Sequence, residues 1–227
     1  MHPAIESIRG GLIVSCQAPE DTPLGQPQVL AALAEAAVRG GAVSIRANLP
    51  QNIRAVRTLV SVPVIGIFKH PLPDYPVYIT PTFDHARSVV EAGADIVAID
   101  ATARERPEPL PQLIRRIREE LRVPVMADIS TLEEGISAAE MGADLLATTM
   151  SGYTPYTEHR RAMGADIALV AELAGRIAVP VVCEGRIASP QDARRALEAG
   201  AWAVVVGTAI TAIDQVTARF VQEMRAR

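Results

Sequence analysis

Two kinds of apolar run alternate along the chain. One opens on Gly-Ala and covers Gly41–Arg46, Gly93–Asp100, Gly142–Thr149 and Gly200–Gly207; the other opens on Val-Pro-Val and covers Val62–Lys69, Val123–Asp128 and Val179–Gly185. With a first run at Gly11–Gln17 they give eight predicted strands. Their residues are apolar consecutively rather than alternately, the pattern of strands buried on both faces in a parallel sheet. The intervals between them carry apolar residues at three- and four-residue spacing and predict helices over Gln28–Arg39, Asn52–Val60, Asp84–Ala92, Pro111–Leu121, Leu132–Met141, Asp166–Ile177, Pro190–Ala199 and Gln215–Met224. Start and stop signals agree. Thr131-Leu-Glu-Glu134 reads as a capping box, Ser189-Pro190 as an N-cap followed by a first-turn proline, and Gly40, Gly93, Gly142 and Gly200 as helix stops.

Eight strand–helix units with buried strands predict an α/β single-domain (β/α)8 TIM barrel over residues 1–227. A doubly wound open sheet would leave the eightfold count unexplained. Composition narrows the partners. A formal charge of −4 and 4% aromatic residues give neither the basic stripe nor the stacking rings of a nucleic-acid surface. The apolar runs are of strand length, short of the ~20 residues of a membrane span, and Met1–Gly10 has no secretory signature. Two cysteines, Cys16 and Cys183, suit a reducing compartment, so the expected location is the cytoplasm. No metal is expected, because His2, His70, His85 and His159 do not fall together at strand ends.

In a barrel of this kind the C-terminal strand ends converge on one face. The polar residues there are Gln17, Arg46 with Asn48, Lys69, Asp100, Asp128, Thr148 with Thr149, Glu184 with Arg186, and Gly207 with Thr208. Lys69 is singular, the one lysine beside 21 arginines. Arginine serves surface charge and capping, whereas an amine alone of the two can be tuned to give and take a proton. Lys69 ends the third strand and Glu184 the seventh, diametrically opposite in an eight-stranded barrel. A substrate held between them presents opposite faces to an amine and a carboxylate, provided burial and Arg46 or Arg186 lower the amine and burial raises the carboxylate. Gly185-Arg186 and Gly207-Thr208 end the strands after which these barrels commonly bind phosphate. Ser151–Thr157 is long enough for a flap and equally readable as a surface loop.

Leu12–Ala18, Ser44–Ala47, Gly66–Lys69, Val77–Thr82, Ala127–Thr131, Thr149–Thr154 and Glu184–Ile187 together resemble the N-acetylmannosamine-6-phosphate 2-epimerase family, essentially end to end. The resemblance implies interconversion of N-acetylmannosamine 6-phosphate and N-acetylglucosamine 6-phosphate without metal or nicotinamide, in amino-sugar and sialic acid catabolism. It implies Lys69 as the base at C2, Glu184 as its acid/base partner, and Gln17, Arg46 and Asp128 as groups holding the sugar and its N-acetyl arm. A homodimer is implied only by the family. The chain departs from the family pattern at His70, where a basic residue follows the lysine, and at Ala212, where an arginine stands after the eighth strand. Those departures bear on how phosphate charge is met and on the acyl group accepted. A Schiff-base aldolase or lyase using Lys69, and a barrel that binds a sugar phosphate without turnover, are the competing readings.

Overall fold

The computed structural model describes residues 1–226. In chain order it contains α1 (Pro3–Glu6), β1 (Leu12–Cys16), α2 (Pro27–Arg39), β2 (Ser44–Asn48), α3 (Pro50–Arg57), β3 (Val64–Ile67), α4 (Phe83–Glu91) and β4 (Ile96–Asp100). There follow α5 (Leu110–Arg116), β5 (Val125–Asp128), α6 (Leu132–Glu140), β6 (Leu145–Ala147), α7 (Ile167–Arg176), β7 (Val181–Glu184), α8 (Pro190–Glu198), β8 (Ala203–Val206), α9 (Thr208–Thr211) and α10 (Ile213–Arg225). All neighbouring strands are parallel, and β1 pairs with β8 through Ile13 and Val205 to close an eight-stranded barrel.

The two sequence signatures turn out to be two ways of starting a strand. In Gly-Ala runs the glycine ends the preceding helix with left-handed backbone, φ +101° at Gly41 and +108° at Gly93. The alanine amide then reaches back to the helix, as Ala94 N does to Val89 O at 3.1 Å. The next residue begins the ladder: the amides of Val43, Asp95, Asp144 and Trp202 donate to Leu12, Val64, Val125 and Val181 respectively. The Gly-Ala heads are therefore helix ends rather than strand, and after α2 the left-handed residue is Gly41, Gly40 being right-handed at φ −77°. In Val-Pro-Val runs the proline sits just before the strand, where its missing N–H costs no ladder bond while its carbonyl accepts from the preceding strand, Pro63 from Ile45 at 3.1 Å and Pro180 from Leu146 at 3.0 Å.

Strand alternation then sorts the side chains. Val14, Ile45, Val97, Ala127 and Leu146 face the helices, while Ile13, Ile65, Ile96, Met126, Leu145 and Val182 fill the barrel. Ile5 and Ile8 plug its base, and Trp202 Nε1 donates to Ile5 O at 2.8 Å. The same two-residue period carries the inward row up to Gln17, Arg46, Asp100, Asp128, Thr149 and Glu184 at the other end. The expected capping box at Thr131/Glu134 and the expected N-cap at Ser189 are present, and Asp192 turns the latter into a second capping box.

Candidate active site

The third strand ends at Ile67, so Lys69 stands two residues beyond it rather than at its end. What holds it is a return segment. Residues 78–80 come back antiparallel: His70 N donates to Tyr78 O at 2.8 Å, Thr80 N to Phe68 O at 2.8 Å, and Lys69 pairs with Ile79. Thr80, at a left-handed φ of 47°, locks the segment, its Oγ1 accepting from Phe68 N at 3.0 Å and donating to Ala98 O at 2.7 Å. From the other side Asn48 Oδ1 accepts from Lys69 N at 2.8 Å. Residues 70–76 leave the sheet as a loop, and an isolated antiparallel bridge between Lys69 and Ile79 follows it.

Opposite, three side chains form one charged unit. Arg46, 1% exposed, donates through Nη1 and Nη2 to both oxygens of Asp128 at 3.0 and 2.5 Å, and through Nη1 to Glu184 Oε2 at 2.5 Å. Thr149 Oγ1 donates to Asp128 Oδ1 at 2.7 Å. An ion triad out of water is tolerable only when its polar atoms are paired, and here Asp128 is filled from Arg46 and Thr149 while Arg46 Nε alone is left without a partner. Burial pushes Arg46 down, but the two carboxylates outweigh it and hold the guanidinium charged. Burial pushes the Glu184 carboxyl above the usual range, with Asp128 adding and Arg46 and Lys69 opposing.

Lys69 is open to solvent at the barrel mouth, yet walls crowd its amine from the sides. Burial first and Arg46 second lower it, with Glu184 and Asp128 pulling partly back. The amine and Glu184 feel each other's charge, and no ion pair joins them among the described residues. A lowered amine on the β3 side and a raised carboxyl at the end of β7 are the pairing wanted for moving a proton across a carbon.

The other expected residues divide. Gln17 lies beside this centre, its Nε2 donating to Ser15 Oγ at 2.7 Å and its buried Oε1 lacking a partner. Gly207 caps α9 close against Ser15, which a Cβ would approach at 3.3 Å; Thr208 is the first residue of that turn, and Gly185 takes φ +104°. Arg186 turns away. With φ +57° its guanidinium donates to Gly164 O at 2.7 Å and to Ser151 O, so Arg46 and not Arg186 is the cation acting on Lys69. Thr148, unlike Thr149, points outward and bonds the β7 backbone at Glu184. Asp100, raised by burial, is held by Thr102 and Arg104, the latter at 2.5 Å. The 151–157 segment is pinned rather than free, since Ser151, Thr154 and Thr157 are buried and Ser151 Oγ donates to Asp166 at 2.5 Å.

Sequence reasoning passed over Tyr78. Its ring packs against the barrel interior and its hydroxyl lies in the field of Arg46, Asp100 and Asp128. Its place depends on the antiparallel return of residues 78–80 with Thr80 in left-handed backbone, which the alternation of Val77-Tyr-Ile-Thr80 does not announce. Among the described residues no three of His, Cys, Asp and Glu converge as metal ligands.

A closed parallel barrel with an amine and carboxyls gathered at the C-terminal mouth of its strands is the frame of a TIM-barrel enzyme of small molecules. Residues 30–226 match the family described as N-acetylmannosamine-6-phosphate epimerase, and the chain belongs to that family. It is 54% identical over 219 residues to an N-acetylmannosamine-6-phosphate 2-epimerase of Thermosynechococcus vestitus, covering 96% of this chain and 95% of that one. A protein of the same name from Synechococcus elongatus is 51% identical over 98% of this chain and 97% of its own. The solved N-acetylmannosamine-6-phosphate 2-epimerase of Clostridium perfringens superposes with a TM-score of 0.93 at 40% identity, over 97% of this chain and 96% of that one.

Proposed function

We propose that the protein interconverts N-acetylmannosamine 6-phosphate and N-acetylglucosamine 6-phosphate by inverting C2. The single observation carrying this is the opposed pair, a lowered Lys69 amine facing a raised Glu184 carboxyl across one cup, in a chain of the epimerase family. In the open-chain aldehyde the C2 proton is α to a carbonyl. Lys69 takes it, the C–H electrons form the C1–C2 double bond, and the carbonyl π electrons move onto the C1 oxygen. Glu184 then gives a proton to the opposite face. The Arg46–Asp128 pair presents a fixed charged wall to the sugar and its N-acetyl arm, with the buried Gln17 Oε1 still unpartnered beside it and Thr149 holding Asp128. The phosphate lies over the amides of Gly185, Gly207 and Thr208, where the first turn of α9 leaves N–H groups without helical acceptors. Arg186 shapes that end by anchoring the neighbouring loop, and Ala212 leaves the phosphate to these amides.

Proton NMR in deuterium oxide tests the reading. Wild-type protein given N-acetylmannosamine 6-phosphate should yield N-acetylglucosamine 6-phosphate carrying deuterium at C2, and Lys69→Ala should yield none. Borohydride trapping a mass increment on Lys69 during turnover would instead favour imine chemistry. The working place of such an enzyme is the cytoplasm, in keeping with two free buried cysteines and with no described helix long and apolar enough to cross a membrane. A homodimer is the working assembly, supported by the exposed apolar face of α10.

A further inference from the structure

An enolate on C1 needs a hydrogen-bond donor, and most donors in the cup are already spent. Arg46 commits Nη1 and Nη2 to carboxylates while its unpartnered Nε is walled off from the cup, Thr149 Oγ1 serves Asp128, and Gln17 Nε2 serves Ser15. Tyr78 differs. Among the described residues its hydroxyl has one hydrogen-bond partner, Met150 Sδ at 4.0 Å, a weak thioether acceptor. The backbone beneath it is fixed on both sides, by His70 N on Tyr78 O and by Thr80 into β3 and β4, so the ring is held in place without its hydroxyl being used.

We propose, on the epimerase reading above, that Tyr78 is a further catalytic residue whose hydroxyl donates to the C1 oxygen as negative charge builds there. The donor keeps its proton throughout: Lys69 takes the C2 hydrogen, Glu184 supplies the new one, and Tyr78 neither gains nor loses charge. Burial, with Asp100 and Asp128 behind it, holds the phenol protonated above its usual range. A preorganised neutral donor aimed where charge develops stabilises the transition state more than the bound aldehyde, so its loss lowers kcat rather than raising KM.

Tyr78→Phe keeps the ring and removes only the oxygen. The expected result is a kcat lowered about 100-fold, with KM within about threefold of wild type and an unchanged melting temperature. A variant with undiminished kcat, or with only a raised KM, overturns the role of Tyr78 while leaving the epimerase reading intact. Absence of turnover by wild-type protein on N-acetylmannosamine 6-phosphate removes that reading and this proposal with it.

Discussion

At the scale of single residues, inversion of C2 requires one group ready to take a proton and another ready to give one at the same pH. Lys69 and Glu184 meet this by being displaced toward each other, the amine downward and the carboxyl upward. The competent form carries one proton on the pair. Below the acid limb both groups are protonated and neither can accept; above the alkaline limb both have lost their protons and neither can donate. Since the acid limb moves up and the alkaline limb moves down, kcat against pH should be a bell narrower on both sides than an ordinary carboxylate and lysine would give. A kcat plateau running down to the usual carboxylate range or up to the usual lysine range would contradict the pairing.

At the scale of elements, Glu134 joins three loops of the catalytic face. Its Oε1 accepts from Ala103 N at 2.7 Å and from the Tyr156 hydroxyl, and its Oε2 from Ser130 N and Oγ at 2.7 Å each and from Thr131 N at 3.1 Å. Glu134→Gln swaps one acceptor oxygen for a donor facing donors, and should lower unfolding free energy by about 2–3 kcal/mol, read from the urea midpoint. The cap was legible as Thr131-Leu-Glu-Glu134, but the reach of Glu134 to Ala103 and Tyr156 was not, because local spacing says nothing of loops brought together by closure. The same division runs through the site. Glu184 ends β7, and Arg46 and Asp128 lie in the strands that the apolar runs marked, because a two-residue period and a strand end suffice to aim them inward. Lys69 and Tyr78 depend on residues 78–80 returning antiparallel, a pairing held by Thr80 in left-handed backbone that no period announces. Arg186 turned outward for a like reason, its own left-handed φ.

At the scale of the molecule, α10 is a helix without a seat. No residue of it is buried, while Val204 and Val206 on the outer side of β8 already are, so the barrel does not need it as cover. Ile213, Val216, Phe220 and Met224 recur at three- and four-residue intervals, leaving Ile213 61%, Phe220 68% and Met224 83% exposed on one stripe. A continuous apolar stripe of this kind marks an interaction surface, and a second copy brings an identical stripe of matching length, the self-complementary contact of a twofold dimer. Sedimentation should therefore give twice the chain mass for the wild type. Phe220→Glu, which sets two carboxylates into that contact, should shift the protein toward the single-chain mass with its helical signal and melting of the barrel preserved. Wild-type protein sedimenting as a single chain at micromolar concentration would exclude the dimer, and an unshifted Phe220→Glu dimer would place the contact on another face of the barrel.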